Sequence, residues 1–345
     1  DIERRDLPLA TSVFFGGGTP SLLGASELVR ILDAIPRTAD AEVTVECNPD
    51  SVDRGKFDAY AAAGVNRLSL GVQSMSAHVL AELGRTHDQR NVSRAVEWAR
   101  AAGFERINLD LIYGTPGESL DDWATTLDRA LALEPSHVSA YALTVEPGTP
   151  LARAVAAGER AAPDDDDQAA KYELADDRLQ DAGLQWYEIS NWAVPGDECR
   201  HNLLYWTQGE YAGIGCAAHG HTVLADRSAR RWWNVRTPER YIEAVSADGD
   251  PTAASEVLSP ASRDEERFVL ALRTRDGIRL GGADSPDSSV RACLCELADA
   301  GLVETTIANA RLTRRGRLLA NDVAARLMQA VEVRPRTVVA PAGTR

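Results

Sequence analysis

Ser12-Val13-Phe14-Phe15-Gly16-Gly17-Gly18-Thr19-Pro20 decides the reading of the fold. Four residues of strand-forming composition run directly into three glycines and a Thr-Pro stop. A helical pattern follows, so the stretch reads as the first half of a βα unit. Adjacent glycines admit positive φ and let the backbone approach a ligand closely, and their amides can hold a carboxylate or a phosphate. A tight turn explains the same residues equally well. The loop has no P-loop lysine, which argues against ATP.

Working outward, the unit repeats. Strands are expected at Ser12–Phe15, Glu42–Glu46, Arg67–Leu70, Arg106–Ile112 and Val138–Leu143, with helices between them at Ser26–Ala34, Val52–Ala63, Val92–Ala102 and Leu120–Leu133. Several strands read as apolar throughout, as strands buried on both faces do. Each ends in a polar or glycine-rich cluster: Gly16–Pro20, Glu46–Asp50, Gly71–Ser74 and Asp110–Pro116. In βα barrels the chemistry collects at the C-terminal ends of the strands, so these clusters are expected to share one mouth.

The expected fold class is therefore α/β, a partial (β/α) barrel followed by a small, mostly α, winged-helix-like C-terminal domain. A helix is expected over Asp165–Ala182, with an aromatic segment at Trp186–Trp192 after it. The boundaries read from the chain are a barrel over 1–195, a connecting region over 196–255 rich in aromatics and His that packs on the barrel, the C-terminal domain over 256–330, and a flexible tail over 331–345. The Pro- and Thr-rich composition of the tail suggests fraying.

Composition narrows the function classes. The 345 residues carry a formal net charge of −15, with 44% hydrophobic and 26% charged residues. Phosphate-tracking grooves need clustered Lys and Arg, so direct nucleic-acid binding is not expected; Arg311, Arg314, Arg315 and Arg317 form only a short cluster. No apolar run approaches the ~20 residues of a transmembrane helix. The expected location is cytoplasmic. Cys47, Cys199, Cys216, Cys293 and Cys295 form an odd, scattered set without the spacing of a disulfide framework. Asp164–Asp167 precedes a helix and reads as its cap.

Two later stretches carry side chains suited to ligands. In Cys199-Arg200-His201-Asn202-Leu203-Leu204-Tyr205-Trp206 a His beside aromatics offers an axial ligand and flat apolar faces, although a His tied to a backbone carbonyl is the plainer reading. Gly213-Ile214-Gly215-Cys216-Ala217-Ala218-His219-Gly220-His221 places two histidines in an HxH pair with no obvious third metal ligand.

Taken in series, these motifs resemble the HemW/HemN branch (oxygen-independent coproporphyrinogen III oxidase-like) of the radical S-adenosylmethionine (SAM) superfamily. The resemblance rests on the glycine loop, Val45-Glu46-Cys47-Asn48-Pro49, Leu70-Gly71-Val72-Gln73-Ser74, Leu83-Gly84-Arg85-Thr86-His87 and Asn108 to Gly117, in that order, and runs from about residue 12 to about 325. It implies that Gly17, Gly18 and Thr19 lie near the methionine part of SAM and that Glu46, Gln73, Arg85 and Asp110 contact it. Carboxylates can accept from an ammonium or ribose hydroxyls, and a guanidinium can fork a carboxylate. The Gly213–His221 stretch resembles the loop that closes over SAM, bringing His219 into that set; Cys216-Ala217 and Gly220 depart from its usual pattern.

The CRHNxxYW segment looks like the HemW side of the branch, which implies haem as a ligand with His201 as its candidate ligand, and haem-accepting proteins as partners. The alternative is an oxygen-independent coproporphyrinogen III dehydrogenase, acting by radical SAM decarboxylation in porphyrin biosynthesis. A cluster-less pseudoenzyme is the third reading. Radical SAM proteins hold a 4Fe-4S cluster on a CxxxCxxC triplet, and the resemblance places that triplet upstream of Asp1, so metal ligands are expected there and none in residues 1–345. No transmembrane segment is expected, and peripheral contact with a membrane is compatible with the resemblance.

Overall fold

The computed structural model describes residues 1–85, 89–281 and 288–330, and the backbone of 337–339. The chain divides into two compact units, Leu9–Cys199 on the one hand and Asp1–Pro8 with Arg200–Arg345 on the other.

The first unit is built from β1 (Ala10–Phe15), α1 (Ala25–Asp33), β2 (Arg37–Cys47), α2 (Arg54–Ala62), β3 (Arg67–Gln73), α3 (Ala77–Glu82), α4 (Gln89–Ala101), β4 (Ile107–Tyr113), α5 (Leu120–Leu131), β5 (His137–Ala142), α6 (Pro150–Ala156), α7 (Asp165–Asp181), β6 (Gln185–Glu188) and β7 (Asn191–Ala193). One seven-stranded sheet runs β1-β2-β3-β4-β5-β7-β6. β1 to β5 are parallel, and β7 and β6 close the far side by antiparallel pairing. The sheet curls into a half-barrel.

The expected strands and helices are present with shifted ends. β2 begins at Arg37, well before the expected Glu42. β3, β4 and β5 are largely buried on both faces, but they are not apolar throughout. Register puts Glu46, Ser69, Asn108 and His137 side by side on one face, with Gly71, Asp110, Ser139 and Asn191 in the next row. The other face carries Val43, Val45, Leu68, Leu70, Leu109, Leu111 and Val138, all buried. Period-2 alternation therefore separates an apolar outer face from a polar concave one. The helices add buried apolar stripes of their own, including Leu28 and Leu32 of α1, Phe57 and Tyr60 of α2, and Trp123 and Leu127 of α5.

Helix ends are set locally. Ser119 and Asp122 form a reciprocal capping box at the start of α5. Asp164 caps α7 by accepting from the Asp167 amide at 2.8 Å, the structural use expected for that acidic run.

The second unit contains α8 (Arg200–Trp206), β8 (His219–Val223), β9 (Ala229–Asn234), α9 (Pro238–Ser246), β10 (Thr252–Leu258), α10 (Pro260–Leu272), β11 (Ile278–Arg279), α11 (Ser288–Asp299), β12 (Val303–Thr305), β13 (Asn309–Leu312), α12 (Arg314–Leu318), α13 (Ala320–Ala330) and β14 (Thr337–Val339). The 196–255 region is not merely a connection: it contributes three strands to an antiparallel sheet ordered β14-β10-β9-β8. Trp232 of β9 lies where a Cβ on Gly220 would stand, 2.0 Å from its Cζ2, so glycine is required there for the strands to pack. A three-stranded sheet, β11-β13-β12, accompanies the C-terminal helices. Of the tail expected to fray, only Thr337–Val339 are described, paired with β10; the rest lies outside the described residues.

Candidate functional site

Because β1 to β4 are parallel, their C-terminal ends, Phe15, Cys47, Gln73 and Tyr113, lie along one edge of the half-barrel. The four clusters expected to share a mouth do so. After β1, Gly17 and Gly18 take φ +76° and +110°, with nothing within 4 Å of where a Cβ would stand. Side chains rarely adopt that backbone, and here it leaves the peptide bare on an open side. Gly16 is needed for a different reason. A Cβ on it would sit 2.6 Å from the Phe14 ring and 3.1 Å from the Glu46 carboxyl carbon. Thr19 follows, half-buried, before the short 3-10 turn Pro20–Leu22.

Glu46 stands one residue before the end of β2, half-buried. Burial first and then the neighbouring Asp110 raise its pKa to about 7, against a hydrogen bond from the Gly17 amide that lowers it. Asp110 is likewise pushed up by burial, opposed by hydrogen bonds from Ser69, Ser139 and Asn108. Its Oδ2 accepts from Ser69 Oγ at 2.7 Å and its Oδ1 from Asn108 Nδ2 at 2.9 Å. Two facing carboxyls with raised affinity for protons form an acceptor pair suited to hydroxyls or to an ammonium.

Gln73 closes β3 in the left-handed region, φ +65°. Register slips between Gly71 and Gln73, so two residues of β3 oppose one of β4. A bulge with a non-glycine residue at positive φ stores strain and re-aims a side chain, and both features gather at functional sites. Arg85 is exposed, and its side chain makes no hydrogen bond with Glu46, Gln73 or Asp110 among the described residues; its amide donates to Leu80 O at 2.9 Å. Thr86 and His87 of the same motif lie outside the described residues.

Composition of the mouth fits an adenosyl amino acid on chemical grounds. Bare glycine peptides suit a zwitterionic head, and the Glu46–Asp110 pair with Gln73 suits ribose hydroxyls or an ammonium.

The sequence reading missed most of what supports these groups. Glu118 accepts from the Gly114 amide at 2.7 Å and is itself fully buried beside Lys171. On the concave face, Glu42 is buried against Arg106 at 2.7 Å and against the Cys199 thiol at 3.5 Å, and Arg106 also reaches Asp197 at 3.1 Å. His137 is held between Asn108 at 2.7 Å and Tyr187 at 2.8 Å. Burial first, then Arg67 and Arg106, drive its pKa well below the usual range, so it is a neutral hydrogen-bond bridge. The signal was available in the alternation Arg-Leu-Ser-Leu, Asn-Leu-Asp-Leu and His-Val-Ser-Ala of three consecutive strands.

The second unit holds the two remaining candidates. His201 lies on α8, its Nε2 3.0 Å from the Tyr205 hydroxyl and its ring edge-on to Tyr205 at 5.2 Å. Tyr205 in turn meets Tyr211 at 4.7 Å, and Tyr211 stacks on His221 at 5.9 Å. His219 is exposed and stacks on Trp233 at 6.0 Å. His221 is buried, with Nδ1 2.9 Å from Gly209 O, and burial lowers its pKa. Ala217 takes φ +57°.

A parallel half-barrel with a glycine loop after its first strand and carboxylates on its concave face is the frame of a radical SAM protein, and the model of the radical SAM superfamily matches residues 3–130. The solved structure of coproporphyrinogen III oxidase (HemN) from Escherichia coli shares the fold, with a TM-score of 0.76 and 22% identity over 93% of this chain and 78% of that one. The heme chaperone HemW of Mycobacterium tuberculosis is 46% identical over 330 residues, 94% of this chain and 82% of that protein. The heme chaperone HemW of Bacillus subtilis is 34% identical over 332 residues, 93% of this chain and 86% of that protein. The chain belongs to the HemW family of radical SAM proteins. Among the described residues no helix is long and apolar enough to cross a membrane.

Proposed function

We propose that this protein is a haem chaperone, dependent on SAM and a 4Fe-4S cluster, that binds haem and delivers it to haem proteins of the cytoplasm. The observation that carries the reading is 46% identity to a heme chaperone over 94% of the chain. When bound, SAM with its cluster supplies one-electron chemistry. The residues of the barrel mouth do the rest: Gly17 and Gly18 present bare peptide to the amino-acid head, and Glu46, Gln73 and Asp110 accept or donate at the sugar. For haem, α8 offers His201 one turn from Tyr205, whose phenol holds the imidazole Nε2 at 3.0 Å. Ligation through that nitrogen requires the phenol to let go, which 44% exposure of Tyr205 permits.

The test is a hemin titration followed by the Soret band. The native protein should bind one haem, and His201→Ala should weaken binding while His219→Ala does not. Equal affinity in the native and His201→Ala proteins rejects His201 as the ligand. A parallel assay supplies coproporphyrinogen III, SAM and reductant to the protein carrying the expected CxxxCxxC segment, reconstituted anaerobically. Decarboxylated product at catalytic turnover would replace the chaperone reading with the dehydrogenase.

A further inference from the structure

Of the 37 basic residues of this chain only two, Lys56 and Lys171, are lysine. Every other cationic position is arginine. Both lysines do the same kind of work, on loops of the same mouth.

Lys56 of α2 donates to Ser21 O at 2.6 Å and to Ser51 O at 2.8 Å. Ser21 ends the loop that begins with the three glycines, and Ser51 belongs to the loop that follows Glu46 and Cys47. The two loops are joined a second time where Ser21 Oγ meets Ser51 Oγ at 2.5 Å and accepts from the Asn48 amide at 3.0 Å. Lys171 of α7 is fully buried. Its ammonium donates to Glu118 O at 2.7 Å and Asp167 Oδ2 at 2.6 Å, and lies 3.4 Å from Glu118 Oε2. That same Oε2 accepts the Gly114 amide, so the loop after β4 is folded around a carboxylate that Lys171 neutralises.

Each ammonium therefore gathers its acceptors onto one point: backbone carbonyls of two loops for Lys56, and for Lys171 the Glu118 carbonyl with the Asp167 and Glu118 carboxylates. A compact tetrahedral donor on a flexible stem does this in little space, where a guanidinium is planar and bulkier. Arginines of this chain also bridge backbone carbonyls, as Arg37 does between Leu32 O and Ala63 O, so what sets the two lysines apart is place: each ammonium fastens loops of this mouth. We propose that Lys56 and Lys171 are positioning residues for the adenosyl ligand, Lys56 setting the glycine loop against the loop after β2 and Lys171 setting the loop after β4. The proposal rests on the reading of this mouth as the SAM site.

The test measures S-adenosylhomocysteine binding by calorimetry on the protein carrying the expected CxxxCxxC segment, reconstituted anaerobically, with thermal melting of each variant alongside. Lys56→Arg keeps the charge at a half-buried site and is expected to fold with a near-native melting temperature. Its affinity should fall roughly tenfold, the scale seen when an outer support of a binding group is removed. Lys171→Arg should fall similarly. Because it alters a buried pair, it is read together with Lys171→Met/Glu118→Gln, which keeps the site neutral. Hydrogen exchange adds a readout that general destabilisation does not mimic. Lys56→Arg should speed exchange at residues 16–22 and leave the β3 and β4 amides unchanged.

Native affinity in Lys56→Arg, or a loss that follows only the unfolded fraction, overturns the proposal. A native protein that fails to bind S-adenosylhomocysteine at all overturns it together with the reading of the mouth.

Discussion

The Ser69 hydroxyl bridges two neighbours on β4: it donates to Asp110 Oδ2 at 2.7 Å and accepts from Asn108 Nδ2 at 2.7 Å. It is one of three polar side chains that oppose the burial penalty on Asp110. Ser69→Ala leaves the carboxylate short of a donor and Asn108 short of an acceptor. The expected loss is about 1–3 kcal/mol, the range for hydrogen bonds to charged groups. The sign with pH follows from the Ser69 bond itself, which favours the ionised carboxyl and so lowers its pKa. At low pH Asp110 is protonated in both states and the loss is small; it grows as the folded carboxyl ionises. Urea unfolding at pH 5 and pH 8 checks this, and a loss greater at pH 5 would contradict it.

Glu46 gives a second dependence on pH. Its pKa is about 7 when folded against 4.5 for the free side chain. The folded state therefore binds more protons between those values, and stability falls as pH rises from 4.5 to 7, then levels. Glu46→Gln should remove this slope, gaining on the native protein at pH 8 relative to pH 5. A ligand that donates hydrogen bonds to the ionised carboxylate must first displace its proton below pH 7. S-adenosylhomocysteine affinity should accordingly tighten between pH 6 and pH 8, by up to about tenfold. Calorimetry in two buffers of different ionisation enthalpy reads the released proton directly. Identical affinity and no proton release at pH 6 would remove Glu46 from the ligand.

The order of strands and helices was legible because each βα unit announces itself: an extended run, a glycine or polar stop, an amphipathic stretch. What was lost was the second face. Reading several strands as apolar throughout passes over Ser69 and Asn108, which alternate with leucines. A half-barrel needs an apolar side for its helices, while its concave side can be polar when hydrogen bonds satisfy it. The β8–β10 sheet was missed because His-Gly-His-Thr-Val and Ala-Arg-Arg-Trp-Trp-Asn look like a ligand loop and a loose aromatic cover; their pairing is non-local. Lys171 and Glu118 lie far apart in sequence, and nothing local joins them. Gly17, Glu46, Gln73 and Asp110 were visible through motifs, and the mouth's strain at Gln73 only through backbone angles.

That strain is measurable. A non-glycine residue in the left-handed region costs about 1–2 kcal/mol, part of which glycine returns through the greater freedom of its unfolded chain. Gln73→Gly should therefore raise stability by about 0.5–1 kcal/mol while S-adenosylhomocysteine affinity falls, because the amide is gone. Gln73→Asn, tolerant of the same backbone, should keep the native stability and recover part of the affinity. A glycine variant that is less stable and binds normally would show that Gln73 is held for packing rather than for the ligand.

The floor of the half-barrel poses the opposite problem, charge buried for structure. Glu42 is completely buried, and its compensation comes from Arg106 at 2.7 Å with the Cys199 thiol at 3.5 Å. Arg106 also holds Asp197 at 3.1 Å, while Arg67 donates to Asp197 O at 2.9 Å, so the chain just before Cys199 is pinned to β3 and to the residue preceding β4. Arg106→Met strands a carboxylate without water and should cost about 3–5 kcal/mol. Glu42→Gln in the same background removes the stranded charge and should return most of that loss, because burying a neutral amide beside Met is far cheaper than burying an anion. Cys199→Ser, which keeps a donor near Glu42, should stay within about 1 kcal/mol of native. Denaturant midpoints of the four proteins decide the matter: if the double variant is no more stable than Arg106→Met, the ion pair is not what holds the floor together.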